Sequence, residues 1–328
     1  MSVSIDHLPG TLAPDLAALI RQVEAEDGPA VDTTLLAPGM GRSVFERANQ
    51  RWNADLPAMA SVAEIIIPAD AALGSAPCPA KLLVPPQAVP GIMLFVHGGG
   101  FAFGNPRTHE RCARVLAFES RLPVLVPDYR LAPEHPYPAG LEDVVACLRA
   151  AFSVTAGLGV EPGALLVAGD SAGANLALAA MLREADAGRA LPAGALLFYG
   201  VYGADFETPS YRRFKDGPGL TTGKMQRYWD WYVAEARARN HALVAPILAD
   251  EAALRALPPM HLLAAEIDPL LSDTLHFAER LAGLGRSDHA RIVPGVTHGF
   301  LQMTNALPAA REALSGAAAA ARAMIRPR

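Results

Sequence analysis

Residues 169–173 read GDSAG and place a serine between two glycines, after the apolar run ALLVA and before a helix-like segment. A serine on a sharp strand-to-helix turn projects its hydroxyl from the edge of the sheet, where it can attack a carbonyl carbon. Glycines two residues away on each side leave room for the neighbouring backbone. Ser171 is therefore the candidate nucleophile. The alternative is a plain turn in which Ser171 only caps the helix.

The candidate base for this serine is a histidine near the end of the chain. A serine hydroxyl is a weak nucleophile until a base accepts its proton, and a carboxylate must orient that base. His298 follows the last apolar segment, 289–295, so in a parallel sheet it reaches the same edge as Ser171. Three other histidines fall before or inside elements, where we expect packing or surface roles: His261, His276 and His289.

Three acids in the segment LLAAEIDPLLSD compete for the role of orienting the base: Glu266, Asp268 and Asp273. Asp268 comes where the apolar run ends, and the proline that follows stops the strand there. We therefore expect Asp268 at the same sheet edge, with a loop cap as its alternative role. Asp273 is better placed to serve the first turn of the next helix.

The sequence HGGGFAFG at 97–104 follows the apolar run GIMLFV and concentrates glycine where a strand ends. Attack on a carbonyl creates an oxyanion, which backbone N–H groups stabilise only if no side chains block their approach. One predicted donor is the N–H after the nucleophile, at Ala172. We predict Gly99 and Gly100 as the others, with Gly98 as the replacement candidate. We expect the adjacent His97 to brace the loop.

Short apolar runs alternate with helical segments from residue 62 onward, which predicts an α/β fold with a mainly parallel, eight-stranded sheet flanked by helices. We expect an antiparallel hairpin at its start. The predicted strands are 62–67, 80–84, 91–96, 123–128, 164–170, 194–200, 260–268 and 289–295. Helices are predicted at 14–27 and 43–56, before the first strand. Residues 201–245 interrupt the alternation and are predicted to be an insertion.

Composition excludes several classes of protein. The chain has 328 residues and a net charge of −5, so it offers no basic surplus for nucleic acid. No apolar stretch reaches the roughly 18 residues of a membrane span, and the N-terminus lacks the pattern of a signal peptide. Three cysteines without CxxC spacing indicate no disulfide framework. We expect a cytoplasmic protein that needs no metal or organic cofactor.

Several separate motifs together resemble the bacterial hormone-sensitive-lipase family of α/β-hydrolases, in its GDSAG branch. They are HGGGFAFG, PDYRLAPEHPYPAGLEDV, GDSAGANLA, AEIDPLLSD and GVTHGF, in the order that the family shows, within residues 60–305. The resemblance implies a catalytic triad at Ser171, Asp268 and His298. It implies oxyanion donors at Gly99, Gly100 and Ala172.

The resemblance also implies a helical cap made of two separate parts of the chain. The expected division is 1–55 and 201–245 for the cap, with 56–200 and 246–328 for the α/β-hydrolase core. Glu134 is expected to be buried and paired near the active-site loops. The chain departs from the family at Ala174, where a glycine is common, and at Arg107, where an acidic residue is common nearby; we expect a solvated surface arginine at the latter.

The expected function is that of a serine carboxylesterase acting on small esters with short- to medium-chain acyl groups. The substrate-pocket candidates are Phe101, Phe103, Tyr199, Met225 and Trp229. Met225 and Trp229 lie on one face of a helix, where packing is the alternative role. Two other functions stay open: an amidase or deacetylase acting on a natural product, and a relative that binds small molecules without catalysis. The last strand is expected to be a sheet edge that could pair with a second copy to form a homodimer.

Overall fold

One eight-stranded sheet organises the protein in a computed structural model that describes residues 10–326. Its strands are β1 (Ser61–Ile67), β2 (Cys78–Val84), β3 (Gly91–Val96), β4 (Val124–Pro127), β5 (Ala164–Asp170), β6 (Gly194–Phe198), β7 (Met260–Ile267) and β8 (His289–Thr297). They lie in the order β1-β2-β4-β3-β5-β6-β7-β8. β2 pairs antiparallel with β1 and β4, and all other neighbours pair parallel. The predicted α/β class and the antiparallel start are therefore confirmed.

Helices cover both faces of the sheet. They are α1 (Pro14–Asp27), α2 (Pro38–Gln50), α3 (Glu110–Ser120), α4 (Ala139–Thr155), α5 (Ala172–Asp186), α6 (Pro209–Arg213), α7 (Thr222–Tyr232), α8 (Glu251–Ala256), α9 (Leu271–Gly283) and α10 (Pro308–Met324). Alternation along β3 shows the two layers, since Leu94 packs with α4 and α5 whereas Phe95 packs with α3 and α10. A strand buried on both faces reads as a continuous apolar run, which is how β3 appears in the sequence.

The second helix begins earlier than the predicted 43–56. Pro38 occupies the first turn of α2, where its missing N–H costs nothing, and the α-helix ends at Gln50. Gly41 lies inside this helix although glycine disfavours helix interiors. A Cβ added there would lie 2.8 Å from a ring atom of Phe103, so the glycine permits close contact between α2 and the loop that follows β3.

The segment between β6 and β7 contains the short helix α6, then α7 and a 3₁₀ turn at Ala236–Asn240. Residues Met225, Tyr228, Trp229 and Tyr232 of α7 are all buried. They belong to the same apolar cluster as Leu94 of the central sheet. The helical face that the sequence shows in 225–232 is therefore packed against the rest of the protein.

A buried carboxylate joins three separate segments of the chain. Asp143 of α4 is 1% exposed and accepts a bond from the backbone N–H of Ala76, in the connection between β1 and β2. It also accepts from the backbone N–H of Arg130 and, at 2.8 Å, from that residue's guanidinium. Because breaking a buried pair leaves polar groups without partners, this contact is expected to contribute strongly to stability.

The variant Asp143→Ala should lower the free energy of unfolding by about 3 kcal/mol, since it leaves two backbone N–H groups without their acceptor. It also removes the buried carboxylate partner of the Arg130 guanidinium, which keeps its bonds to the carbonyls of Gly74 and Ala139. The control is Asp230→Ala, whose ion pair with Arg239 involves a carboxylate that is 65% exposed. That change should cost under about 1 kcal/mol. Urea denaturation of both variants checks the difference, and equal losses would contradict the importance given to Asp143.

Candidate active site

Ser171 stands at the junction of β5 and α5 with φ +55° and ψ −121°. A positive φ is strained for any residue with a side chain and persists only where the surroundings hold it. Its N–H donates to the carbonyl of Phe198 at 2.9 Å, and its carbonyl accepts from Ala174 and Val201. These bonds, from the next strand and the segment after it, hold the turn in place and direct the hydroxyl away from the sheet.

The two glycines of the GDSAG motif are required by close backbone contacts. A Cβ added to Gly169 would lie 2.5 Å from the carbonyl oxygen of Gly173. A Cβ on Gly173 would lie 2.0 Å from the carbonyl oxygen of Val96, at the end of β3. The expectation that these glycines leave room for neighbouring backbone therefore describes the turn correctly.

The structure brings Ser171, His298 and Asp268 into one hydrogen-bonded chain. The Oγ of Ser171 lies 2.9 Å from Nε2 of His298, and Nδ1 of His298 lies 2.7 Å from Oδ2 of Asp268. The carboxylate is an acceptor, so His298 carries a proton on Nδ1 and presents Nε2 to accept the proton of the serine hydroxyl. The other oxygen of Asp268 accepts from the N–H of Leu270.

Parallel pairing explains why residues so far apart in sequence meet. β5, β7 and β8 point the same way, and Ser171, Asp268 and His298 each follow the last residue of one of them. Asp268 is fully buried and Ser171 is 6% exposed, whereas the ring of His298 keeps 14% of its surface accessible. Solvent and small molecules therefore reach the chain of three from the histidine and serine end.

The two competing acids are occupied elsewhere. Glu266 accepts from the backbone N–H groups of Gly10, at 2.6 Å, and Gly295, at 2.7 Å. Asp273 accepts two backbone N–H bonds of 2.8 Å from the segment that follows β6. Of the three acids that the sequence offered, Asp268 is the one that contacts His298.

In the glycine-rich loop after β3, one N–H of the three consecutive glycines has a hydrogen-bond acceptor and two have none among the described residues. Gly98 donates to the Asp170 carboxylate at 2.8 Å. In residues 10–326, the N–H groups of Gly99 and Gly100 have no acceptor. Ala172 is the first residue of α5, where an N–H has no partner within the helix. The available donors thus coincide with the predicted ones, and the replacement candidate Gly98 already has a partner.

Side chains are excluded from this loop by contact as well as by conformation. A Cβ on Gly99, at φ +119°, would lie 2.2 Å from the carbonyl oxygen of Phe103. A Cβ on Gly100, at φ +60°, would lie 2.4 Å from the ring of Tyr228 in α7. These two close contacts, with the backbone of Phe103 and the ring of Tyr228, explain why glycine is required at both positions.

Asp170, between the first glycine and the serine, is a buried anion next to the candidate nucleophile. Besides Gly98, its carboxylate lies 3.5 Å from Nε2 of His109 and 3.5 Å from the hydroxyl of Tyr199. Burial raises the pKa of Asp170, but the charge and hydrogen bond of His109 and the N–H of Gly98 outweigh it and hold that pKa below its usual value. The residue was not singled out from the sequence, although an acid beside a candidate nucleophile is a signal that could have found it.

His97 braces the loop, as expected. Burial and the nearby His109 lower the pKa of His97 to about 3, so the ring is neutral. Its Nδ1 donates to the carbonyl of Gly98 at 2.9 Å, and the ring stacks on Tyr129 with centroids 4.3 Å apart. The hydroxyl of Tyr129 donates in turn to the carbonyl of His97. These contacts fix the start of the glycine loop.

The five pocket candidates are all buried, in different surroundings. Tyr199 lies nearest the candidate triad, with its ring centroid 4.8 Å from that of His298. Phe101 stacks on Tyr232 at 3.8 Å and contacts Trp229. Met225 lies in the same apolar cluster. Phe103 instead packs against the ring of Phe45 in α2 and two aromatic rings of α7, so its surroundings are those of a packing residue.

Glu134 and Arg107 both form ion pairs with residues of α2. Glu134 was expected to be buried, but its side chain is 48% exposed, and the Arg42 side chain with which it pairs is itself 29% exposed. The pairing itself is as expected. Arg107 is 68% exposed and bonds Glu46 of α2 at 2.8 Å, so it is tied to a helix rather than solvated alone.

Neither a metal site nor a membrane-spanning helix occurs in the part of the chain that the structure describes. Residues 10–326 contain no group of three or more histidine, cysteine or acidic side chains arranged to hold a metal ion. Over the same residues, no helix has the length and hydropathy to span a bilayer.

Comparison with known proteins gives one consistent result. The sequence pattern of the alpha/beta hydrolase fold family matches residues 93–302. Carboxylesterase NlhH of Mycobacterium tuberculosis is 37% identical, over 71% of this chain and 74% of that protein. Esterase LipI of the same organism is 34% identical, over 74% and 75%. The crystal structure of a thermostable esterase from Pseudomonas putida superposes with a TM-score of 0.89 at 28% identity, covering 97% of this chain and 99% of the other.

A pH dependence of stability follows from the position of Asp273. Burial raises its pKa to about 7, and the nearby Asp268 adds to this, although two backbone N–H bonds oppose it. An unfolded aspartate titrates near pH 4, so between about pH 4 and 7 the folded state holds a proton that the unfolded state has lost. The contribution of Asp273 to stability therefore falls as pH rises through that range.

The variant Asp273→Asn removes this titration while keeping an acceptor for the two N–H groups. Relative to wild type, its free energy of unfolding should increase steadily from about pH 4.5 to 7. Denaturant titrations at several pH values measure this, with Asp250→Asn at the exposed start of α8 as a control for changing a carboxylate to an amide. A difference from wild type that does not vary with pH would contradict the prediction.

Proposed function

Because this chain belongs to the alpha/beta hydrolase fold family, and within it to the bacterial hormone-sensitive-lipase group, we propose that it hydrolyses small carboxylic esters through an acyl-enzyme formed on Ser171. The chain is a carboxylic ester hydrolase, like the relatives that it matches. The observation that carries the residue assignment is the chain of hydrogen bonds from Asp268 through His298 to Ser171. The N–H groups of Gly99 and Gly100, in the loop bonded to Asp170, have no acceptor among the described residues.

Acylation begins when Nε2 of His298 accepts the proton of Ser171 as Oγ attacks the ester carbonyl carbon. Asp268 stays ionised and stabilises the imidazolium that forms. The carbonyl oxygen becomes an oxyanion, and the N–H groups of Gly99, Gly100 and Ala172 are proposed to donate to it. Such preorganised donors contribute about 3 kcal/mol each to transition-state stabilisation in comparable sites.

The tetrahedral intermediate then collapses and the C–O bond to the alcohol breaks. His298 gives its proton to the leaving alkoxide oxygen, which departs as the alcohol. In the second half of the reaction, a water molecule loses a proton to Nε2 of His298 and attacks the acyl carbon. Collapse of this second intermediate returns the proton to Ser171 and releases the carboxylic acid.

The surroundings of the site support short or medium acyl groups. Phe101 belongs to the glycine-rich loop after β3, residues 97–104, which we call the oxyanion loop. Its ring packs with those of Trp229 and Tyr232, and each of the three is no more than 2% exposed. Aromatic side chains held in mutual contact leave little room for a long flexible chain. We propose Phe101, Trp229 and Met225 as walls of the acyl or alcohol pocket. We propose that Tyr199 also lines it, since its ring packs against that of the proposed base, His298.

The arrangement of the chain supports the same proposal. We assign 1–55 and 201–245 to a helical cap, and 56–200 and 246–328 to the core that carries the proposed triad; residues 1–9 and 327–328 lie outside the described residues. The contact of Tyr228 in α7 with Gly100 supports a position of the proposed cap beside the proposed oxyanion donors. We further propose a cytoplasmic enzyme, consistent with three buried cysteines that are free thiols. β8 is a sheet edge, as expected, which suits pairing in a homodimer.

Replacing Ser171 by alanine removes the nucleophile. The variant should lose on the order of 10⁴-fold or more in turnover of p-nitrophenyl acetate. An organophosphate should label the wild-type protein at Ser171 and leave S171A unlabelled. Ser153→Ala, which alters an exposed serine of α4, is the control and should behave as wild type. Wild-type turnover by S171A would refute the proposal.

Acyl-chain preference is measured with p-nitrophenyl esters of two to sixteen carbons. We expect kcat/KM to be highest among the shorter chains and to fall steeply for the longest, because the aromatic walls cannot move apart without losing buried contact area. The matched anilides test the leaving group. Faster hydrolysis of an anilide than of its ester would show an amidase instead.

A further inference from the structure

The oxyanion loop adopts a conformation that cannot be stable by itself. Three consecutive residues have positive φ: +119° at Gly99, +60° at Gly100 and +63° at Phe101. The last of these carries a side chain, so it is strained. Within the loop, the carbonyl of Gly99 accepts from the N–H groups of Ala102 and Phe103. Contacts from outside the loop must supply the rest of what holds it.

One external contact comes from the N-terminal part of the chain. The guanidinium of Arg42, in α2, donates through Nε to the carbonyl of Ala102 at 2.9 Å. Through Nη2 it donates to the carbonyl of Ala132 at 2.8 Å. It is also paired with the carboxylate of Glu134, with Nη1 at 3.0 Å. A single planar group therefore joins the oxyanion loop to the segment 131–134.

That segment is itself bonded to the loop. The N–H of Ala132 donates to the carbonyl of Phe101 at 2.9 Å, one residue after Gly100. Arg42 accordingly contacts both sides of this junction, with Ala102 on the loop side and Ala132 on the other. We therefore expect a shift of either carbonyl to be transmitted through Phe101 to the peptide that carries the N–H of Gly100.

The backbone that carries Arg42 is held firmly against the same loop. Gly41 lets α2 approach Phe103 so closely that a Cβ would lie 2.8 Å from its ring, and Phe45 contacts that ring from one turn further along. The helix backbone at Arg42 is therefore held against the loop by packing at residues on both sides of it, and the guanidinium is held by its hydrogen bonds. This is the arrangement expected of a group that holds a loop in place, rather than of a surface arginine.

We propose that Arg42 is a positioning residue that sets the geometry of the oxyanion hole by holding the carbonyls of Ala102 and Ala132 together. The inference rests on the proposed function, since it concerns how that reaction is accelerated. It makes the N-terminal segment, which precedes the region matched by the family pattern, a contributor to catalysis.

The chemistry of the side chain explains why arginine is suited to this role. Its planar fork donates in several fixed directions at once, whereas lysine is a point charge on a flexible stem. Without Arg42, both carbonyls lose a charged donor and the strained loop can relax. Donors must lie about 2.7–3.1 Å from the oxyanion, so a small displacement weakens stabilisation of the transition state more than binding of the ester.

The experiment compares Arg42→Met, Arg42→Lys and the control Arg51→Met. Arg51 is similarly exposed, 23% against 29%, but its side chain pairs with Glu26 and Asp27 on the outer surface. The turnover of p-nitrophenyl butyrate gives kcat and KM. A trifluoromethyl ketone, which forms an oxyanion adduct with the active serine, gives the affinity for a transition-state analogue. Thermal unfolding of each variant separates stability from activity.

We expect R42M to lose roughly 10- to 100-fold in kcat with KM within about threefold of wild type. Its inhibition constant for the trifluoromethyl ketone should rise in parallel. R42K should show an intermediate loss, because an ammonium cannot bridge both carbonyls. R51M should retain wild-type values for all three quantities.

Activity of R42M within about threefold of wild type would overturn the inference and leave the proposed function intact. A lowered melting temperature with unchanged kcat and unchanged ketone affinity would show a purely structural role and would overturn it too. If R42M fails to fold, R42K decides by the same two measurements. A wild-type protein that does not hydrolyse p-nitrophenyl butyrate, by contrast, would contradict the proposed function itself.

Discussion

The backbone of Ser171, held at a positive φ between a buried strand and a helix, is the constraint on which the rest of the site depends. Its strain persists because the carbonyl of Phe198 and the N–H of Val201 bond it from the neighbouring strand β6 and the segment after it. The flanking residues must be glycines because the backbone packs tightly at this turn. A Cβ on Gly169 would collide with α5, and one on Gly173 would collide with the end of β3. The turn therefore couples the candidate nucleophile to the central strands of the sheet.

Electrostatics beside this turn involve more than the three residues in the hydrogen-bonded chain. The buried carboxylate of Asp170 lies next to Ser171, the candidate nucleophile. Its pKa stays low because His109 and the N–H of Gly98 compensate for burial. The carboxylate thus holds the start of the glycine loop by accepting a hydrogen bond from Gly98. The N–H groups of Gly99 and Gly100 are the ones proposed to donate to the oxyanion.

The N-terminal segment meets the site at two places, and buried or charge-assisted hydrogen bonds make both contacts. Arg42 joins α2 to the oxyanion loop. Glu266 joins Gly10 to Gly295 in β8, the strand that precedes His298. The N-terminal segment is in this way bonded to the loop proposed to stabilise the oxyanion and to the strand that precedes the proposed base.

The sequence alone was sufficient to predict the sheet and to predict that Ser171, Asp268 and His298 meet at one edge of it. Apolar runs that end in polar residues report strand ends directly, and parallel strands bring those ends to one edge. The boundaries of α2 were less predictable, because Gly41 reads as a helix breaker until Phe103 is seen to lie against it. Contacts such as Arg42 to Ala102 and Glu266 to Gly10 were decided only by the tertiary structure. They join a side chain to a backbone group 60 to 256 residues away, and every residue has such a backbone group, so no pattern of residue types marks the partner.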